Sequence, residues 1–182
     1  MAIKTFTTGE VLTAADTNTY LANSGLVFVK QQTIGNLVGS VTVSNAFTSE
    51  FTNYRVTVDG SDGAAADTNV HVKFETVLST YNWAQRFTSY GGTVGDASSA
   101  STNAGILVGL TSTDNDTSLS FDVFSPNEAK FTHITFSCAA TNFWNTGGGI
   151  MKTATAYTTL ILNMPSTTLS GGTIRIYGYR NG

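Results

Sequence analysis

Charge is what this sequence has least of. Twelve acidic and nine basic residues in 182 make a charged fraction of 12 %, about half the ~25 % usual for a soluble domain. The basic residues are scattered singly and the net charge is −3, so there is no stripe to neutralise a row of phosphates and nucleic acid is not an expected partner. Cys138 is the only cysteine, which excludes an internal disulfide and any zinc site built on several thiolates. It shares a strand face with Ile134 and Phe136, which predicts a buried, inert thiol. No apolar run approaches the ~18 residues of a membrane span, and the first residues carry no apolar signal-peptide core. The expectation is a protein made soluble in a cytoplasm, without membrane insertion, which reaches any site outside a cell by another route.

Catalytic signatures are missing as well. The only histidines are His71 and His133, each on the strand face opposite the apolar one, where solvated or interfacial roles are expected rather than a triad. There is no Gly-x-Ser-x-Gly elbow, His-Glu-x-x-His pair, phosphate-binding loop or dinucleotide fingerprint. Paired carboxylates for glycoside hydrolysis cannot be assigned, because most of the acids lie in turns. The expectation is a protein that is not an enzyme and carries no cofactor.

What the sequence does have is threonine, serine, asparagine and 18 glycines, with 41 % hydrophobic and 11 % aromatic residues. That mixture favours strands joined by polar turns and is too apolar for global disorder. From Leu26 onward the apolar residues recur with period two. Val41/Val43, Tyr54/Val56/Val58, Val70/Val72/Phe74, Leu119/Phe121/Val123, Ile134/Phe136/Cys138, Leu160/Leu162/Met164 and Ile174/Ile176 each mark one face. With residues 26–34, 83–90 and 106–110 this makes about ten strands. Turns are expected at residues 59–63, 90–92, 113–116, 145–149 and 170–172, and a low-complexity polar loop at 96–103. The prediction is an all-β protein: an antiparallel, jelly-roll-like sandwich over residues 25–182, preceded by an arm over 1–24. No fixed-period repeat or heptad points to a fibre shaft.

The arm contains the stretch FTTGEVLTAADTNTYLANSG. Thr13 suits a helix N-cap and Asp16 the acidic partner of a capping box, with Ala14 and Ala15 as helix formers and Gly25 as a stop. A helix of about ten residues with the interior Thr17-Asn18-Thr19 is marginal alone and needs a surface to pack on. Leu12, Tyr20 and Leu21 are its only sizeable apolar groups. The proposed docking residues are therefore Leu12, Thr13, Asp16, Tyr20 and Leu21.

Three further sets are candidate binding residues. Asp59, Asp62 and Asp67, and separately Asp114 and Asp116 around Asn115, have oxygens suited to calcium, although tight turns select the same residues and no EF-hand loop is formed. Trp83, Phe143 and Trp144 lie near strand or loop ends, where they either close the core or contact a receptor. Arg175, Tyr177 and Tyr179 share a face of the last strand, a composition suited to a subunit interface.

The N-terminal segment resembles the start of many small virion proteins of tailed bacteriophages. Phe6, Gly9, Val11, Leu12, Thr13, Ala14, Ala15, Asn18, Tyr20 and Leu21 fit a pattern F-x-x-G-x-V-L-T-A-A-x-x-N-x-Y-L. The closing GGTIRIYGYRNG looks like the end strand of similar phage appendage domains. The resemblance covers about a fifth of the chain; in the middle it extends only to the β-rich, Thr/Gly/Ser/Asn-rich style. It implies a non-enzymatic virion component whose arm docks on other virion proteins while the β domain faces outward, most often as a homotrimer. A tail-fibre or receptor-binding appendage, with a host cell-surface glycan among its possible partners, is the first reading. A capsid decoration protein is the alternative, and a free carbohydrate-binding module a lesser one.

Overall fold

The structure, a computed structural model, describes residues 7–16, 25–74, 80–113 and 117–180. Thirteen strands carry these residues: β1 (Leu26–Thr33), β2 (Ser40–Val43), β3 (Asn53–Gly63), β4 (Asn69–Lys73), β5 (Tyr81–Ser89), β6 (Val94–Thr102), β7 (Ile106–Leu110), β8 (Thr117–Phe124), β9 (Thr132–Ala139), β10 (Phe143–Met151), β11 (Leu160–Asn163), β12 (Leu169–Ser170) and β13 (Thr173–Tyr179). A single turn of helix, α1 (Ala14–Asp16), precedes them. The strands form two antiparallel sheets. The large sheet runs β1-β13-β3-β8-β9-β10-β5-β6, with β12 added beside β3, and the small one runs β2-β11-β4-β7.

The chain moves repeatedly from one sheet to the other: β2, β4, β7 and β11 belong to the small sheet, and the strands between them to the large one. This is the jelly-roll wrap expected from the period-two pattern, with the position between β3 and β5 filled by a three-strand meander, β8–β9–β10. The core is the layer between the sheets. Val56, Val58, Leu119, Phe121, Ile134 and Phe136 of the large sheet meet Val43, Val70, Val72, Leu160 and Leu162 of the small one. Alternation along β9 is complete: Thr132, Ile134, Phe136 and Cys138 are buried, and the residues between them are exposed. Each inward aliphatic side chain removed from water contributes about 1.5–3 kcal/mol. That term selects the register, because a one-residue slip would turn every inward group outward.

Three segments read as turns or loop are strands. Residues 96–103 lie mostly in β6, the edge strand paired with β5. An edge strand needs a ladder on one side only, and β6 has no apolar periodicity because its residues remain partly or fully exposed. Residues 145–149 belong to β10, which pairs with β5 on one side and β9 on the other. Its glycines mark close approach rather than a turn: a Cβ on Gly149 would lie 2.5 Å from Ile106 Cγ2 and 2.6 Å from the Asn82 carbonyl oxygen. Residues 59–63 form the end of β3, where pairing with β8 is irregular between Val58 and Ser61. Gly60 supplies the left-handed backbone there (φ +68°).

Candidate functional site

The outward face of the large sheet is ordered by register. Arg175, Thr57, Ser120, Ser137, Thr146 and Arg86 stand opposite one another, pair by pair, across six adjacent strands. The next row is Tyr177, Arg55, Asp122, Thr135 and Gly148. The row on the other side is Ser118, Ala139, Trp144 and Thr88. Small polar side chains in the middle of a sheet leave a shallow trough between larger flanks.

Two depressions of about 390 and 370 Å3 follow this trough and share Ser120 and Ser137. The first is bounded by Thr57, Asp59, Ser118, Ala139 and Trp144. The second is bounded by Arg55, Asp122, Thr135 and Thr146. Charges around the trough are paired within the chain. Arg55 Nε lies 3.6 Å from Asp122 Oδ1, and Arg175 forms an ion pair with Asp59. Tyr179 donates its hydroxyl to Asp122 Oδ1 at 2.7 Å. Burial, followed by the hydrogen bond to Asp122 and its charge, pushes the Tyr179 phenol above its usual pKa, so it stays a proton donor. Arg55 and Arg175 are balanced by Asp122 and Asp59, and Arg86, at the β5 end of the first row, stands opposite Asp96 of β6, so the cations around the hydroxyl floor each have a carboxylate on a neighbouring strand.

The aromatic candidates separate. Trp144 is 42 % exposed at the trough. Trp83 instead packs against the core, its indole edge-on to His71 with ring centres 6.2 Å apart. Its Nε1 is buried without a hydrogen-bond partner among the described residues. Phe143 also packs on the core and meets Phe87 edge-on at 5.7 Å. On β13, Arg175, Tyr177 and Tyr179 do share the outward face, where Arg175 holds Asp59, Tyr179 holds Asp122 and Tyr177 meets the half-exposed Phe28 at 5.9 Å.

His71 does not take the outward position expected of it; it is 4 % exposed. The pairing of β4 with β7 shifts between Val70 and His71, breaking the simple alternation, and Trp83 covers the ring. Burial, and secondarily the charge of Lys73, lowers its pKa to about 4, so the buried imidazole is neutral at pH 7. His133 is exposed. Cys138 is buried under Gly109, and burial raises its thiol pKa.

The aspartates do not gather. Asp59 is engaged by Arg175, Asp62 lies where β3 pairs with β12, and Asp67 accepts the backbone and side-chain N–H groups of Asn142. Among the described residues no three His, Cys, Asp or Glu side chains are grouped to hold a metal. Asp114 and Asp116 lie outside the described residues.

In the arm the capping box forms as read. Asp16 accepts the Thr13 backbone N–H at 3.2 Å, and Thr13 Oγ1 accepts the Asp16 N–H at 3.1 Å. Ahead of this cap, Val11 and Leu12 are 79 % and 49 % exposed. Tyr20 and Leu21 lie outside the described residues.

Period two indicated that Arg55, Thr57, Ser120, Asp122 and Ser137 face outward. Their alignment into one trough depends on strand order, which no local pattern contains. Compared with known protein families and with curated protein sequences, the chain matches no family model and no curated protein.

Proposed function

We propose that this chain is a non-enzymatic structural protein of a tailed-bacteriophage particle, a β-sandwich displayed on the virion surface and docked to other virion proteins by its N-terminal arm. One observation carries the reading: the core cluster draws on β-domain residues from Val27 to Ile176 and on none of the described arm residues. Ahead of its cap the arm instead presents Val11 and Leu12 to solvent. A capped helical start with exposed apolar groups is suited to seating on another surface. The resemblance of the same segment to phage virion N-termini supplies the particle.

The polar trough favours host attachment from a tail appendage over capsid decoration, because a contact that only cements capsomers is better served by apolar area. The outward row Arg175, Tyr177 and Tyr179 is the surface proposed for association into a homotrimer. Immunogold labelling of intact particles with an antibody to the β domain tests the assignment. Label at the tail tip is the expected result, label over the head supports decoration instead, and unlabelled particles overturn the proposal.

A further inference from the structure

We propose that the trough on the outward face of the large sheet binds a neutral oligosaccharide, with Trp144 as a stacking platform and the Arg55–Asp122 pair holding sugar hydroxyls. The inference deepens the host-attachment reading and rests on it for its biological setting. Three features select the ligand class. The floor is built from Thr57, Ser118, Ser120, Thr135 and Ser137, whose hydroxyls can both donate to and accept from a polyol, and Thr146, whose hydroxyl donates to the Phe136 carbonyl and is left as an acceptor. Arg55 and Arg175 are each matched by a carboxylate, Asp122 and Asp59, and Arg86 stands opposite Asp96 on the next strand, so the trough offers a phosphate chain or a polyanionic glycan no cluster of unmatched cations. Trp144 offers a flat apolar surface beside polar groups, the combination that an axial C–H face of a sugar ring stacks on.

Dimensions agree. The Trp144 row and the Asp122 row are four residues apart along β10, from Trp144 to Gly148, or about 14 Å at ~3.4 Å per residue. The trough crosses β3, β8, β9 and β10, three strand intervals or about 14 Å. That holds several linked sugar rings rather than one. A second copy of this chain is a poorer occupant, because obligate subunit interfaces bury apolar centres and this one is hydroxyl-lined.

The test uses the full chain against immobilised maltohexaose, cellohexaose, chitohexaose, mannohexaose and galactohexaose, with hyaluronan and polysialic oligomers as anionic probes. At least one neutral hexamer is expected to bind. Ser137→Trp, which fills the floor from an exposed position, and Trp144→Ala should each weaken binding by at least about tenfold, with unchanged melting temperatures. If Trp144→Ala lowers the melting temperature, Ser137→Trp decides alone. The proposal is overturned if no neutral hexamer binds at millimolar concentration, if anionic oligomers bind as well or better, or if Ser137→Trp binds like the parent. Particle labelling decides the appendage reading separately: a labelled virion protein that binds no neutral glycan sinks only this inference, and a glycan binder absent from particles sinks only the appendage.

Discussion

Two buried tyrosines and one histidine show how single polar groups are accommodated in this core. Tyr54 Oη accepts the Thr48 N–H at 2.7 Å and donates to the Thr48 carbonyl at 2.6 Å, closing the loop before β3. Tyr81 does the same for Phe74, accepting at 3.0 Å and donating at 3.3 Å. Each ring is fully buried, and each hydroxyl satisfies two main-chain groups that would otherwise cost about 1–3 kcal/mol apiece to strand. His71 is the contrasting case, buried with Nδ1 lacking a partner among the described residues. Its pKa falls from 6.5 to about 4 on folding, so between those values the unfolded chain takes up a proton that the folded chain refuses. Its neutral burial is therefore compatible with full stability above pH 6.5, and stability declines as pH falls from 6.5 towards 4. The gap corresponds to roughly 3 kcal/mol at most. Urea unfolding of the parent and His71→Gln at pH 7 and pH 4.5 should show a steeper acid loss for the parent, whatever the variant's stability at pH 7. Equal losses would mean that the folded state accommodates the imidazolium.

At the scale of the element, β10 is the most demanding strand. Gly147, Gly148 and Gly149 run consecutively between β5 and β9, although interior glycines weaken strands. Packing explains Gly149: Ile106 of β7 occupies the space where its side chain would stand. All five residues of β7 are buried, so there is little room for Ile106 to retreat. Gly149→Ala should destabilise by about 1–3 kcal/mol through overpacking, and that penalty should be smaller when measured in an Ile106→Ala background, which is itself destabilised by the cavity. A double-mutant cycle in denaturant reads the coupling, and strictly additive effects would remove Ile106 as the cause. This strand also shows where local reading fails. A run of three glycines scores as a turn on propensity, and only the neighbouring strands reveal it as a site of close backbone approach. The same limit applies to β6, whose serines and alanines give no periodic signal because no side of an edge strand need be wholly buried. Strands with one sealed face, such as β8 and β9, were legible because burial enforces strict alternation.

For the whole molecule, the proposed docking role gives the arm a task separate from that of the sandwich. The core includes no described arm residue, so removal of residues 1–24 should leave a cooperatively folding β domain. Its melting temperature should shift by less than about 3 °C, the equivalent of ~1 kcal/mol in a domain of this size, while incorporation into particles is lost. A calorimetric scan and a virion pull-down check the two halves. Loss of the cooperative transition would make the arm part of the fold.

The sequence by itself determined the all-β class, most of the strands, the burial of Cys138 and the capping box of Thr13 and Asp16, because each depends on residues within a few positions of one another. Tertiary structure decided what the face between those strands can do. Thr57, Ser120, Ser137 and Thr146 come from four strands spread over some ninety residues, and they become one polar row only when β3, β8, β9 and β10 pair in that order. It also decided that Trp144 faces the trough while Trp83 packs on the core. Side-chain alternation is local, but strand order is a property of the whole chain packing around one core.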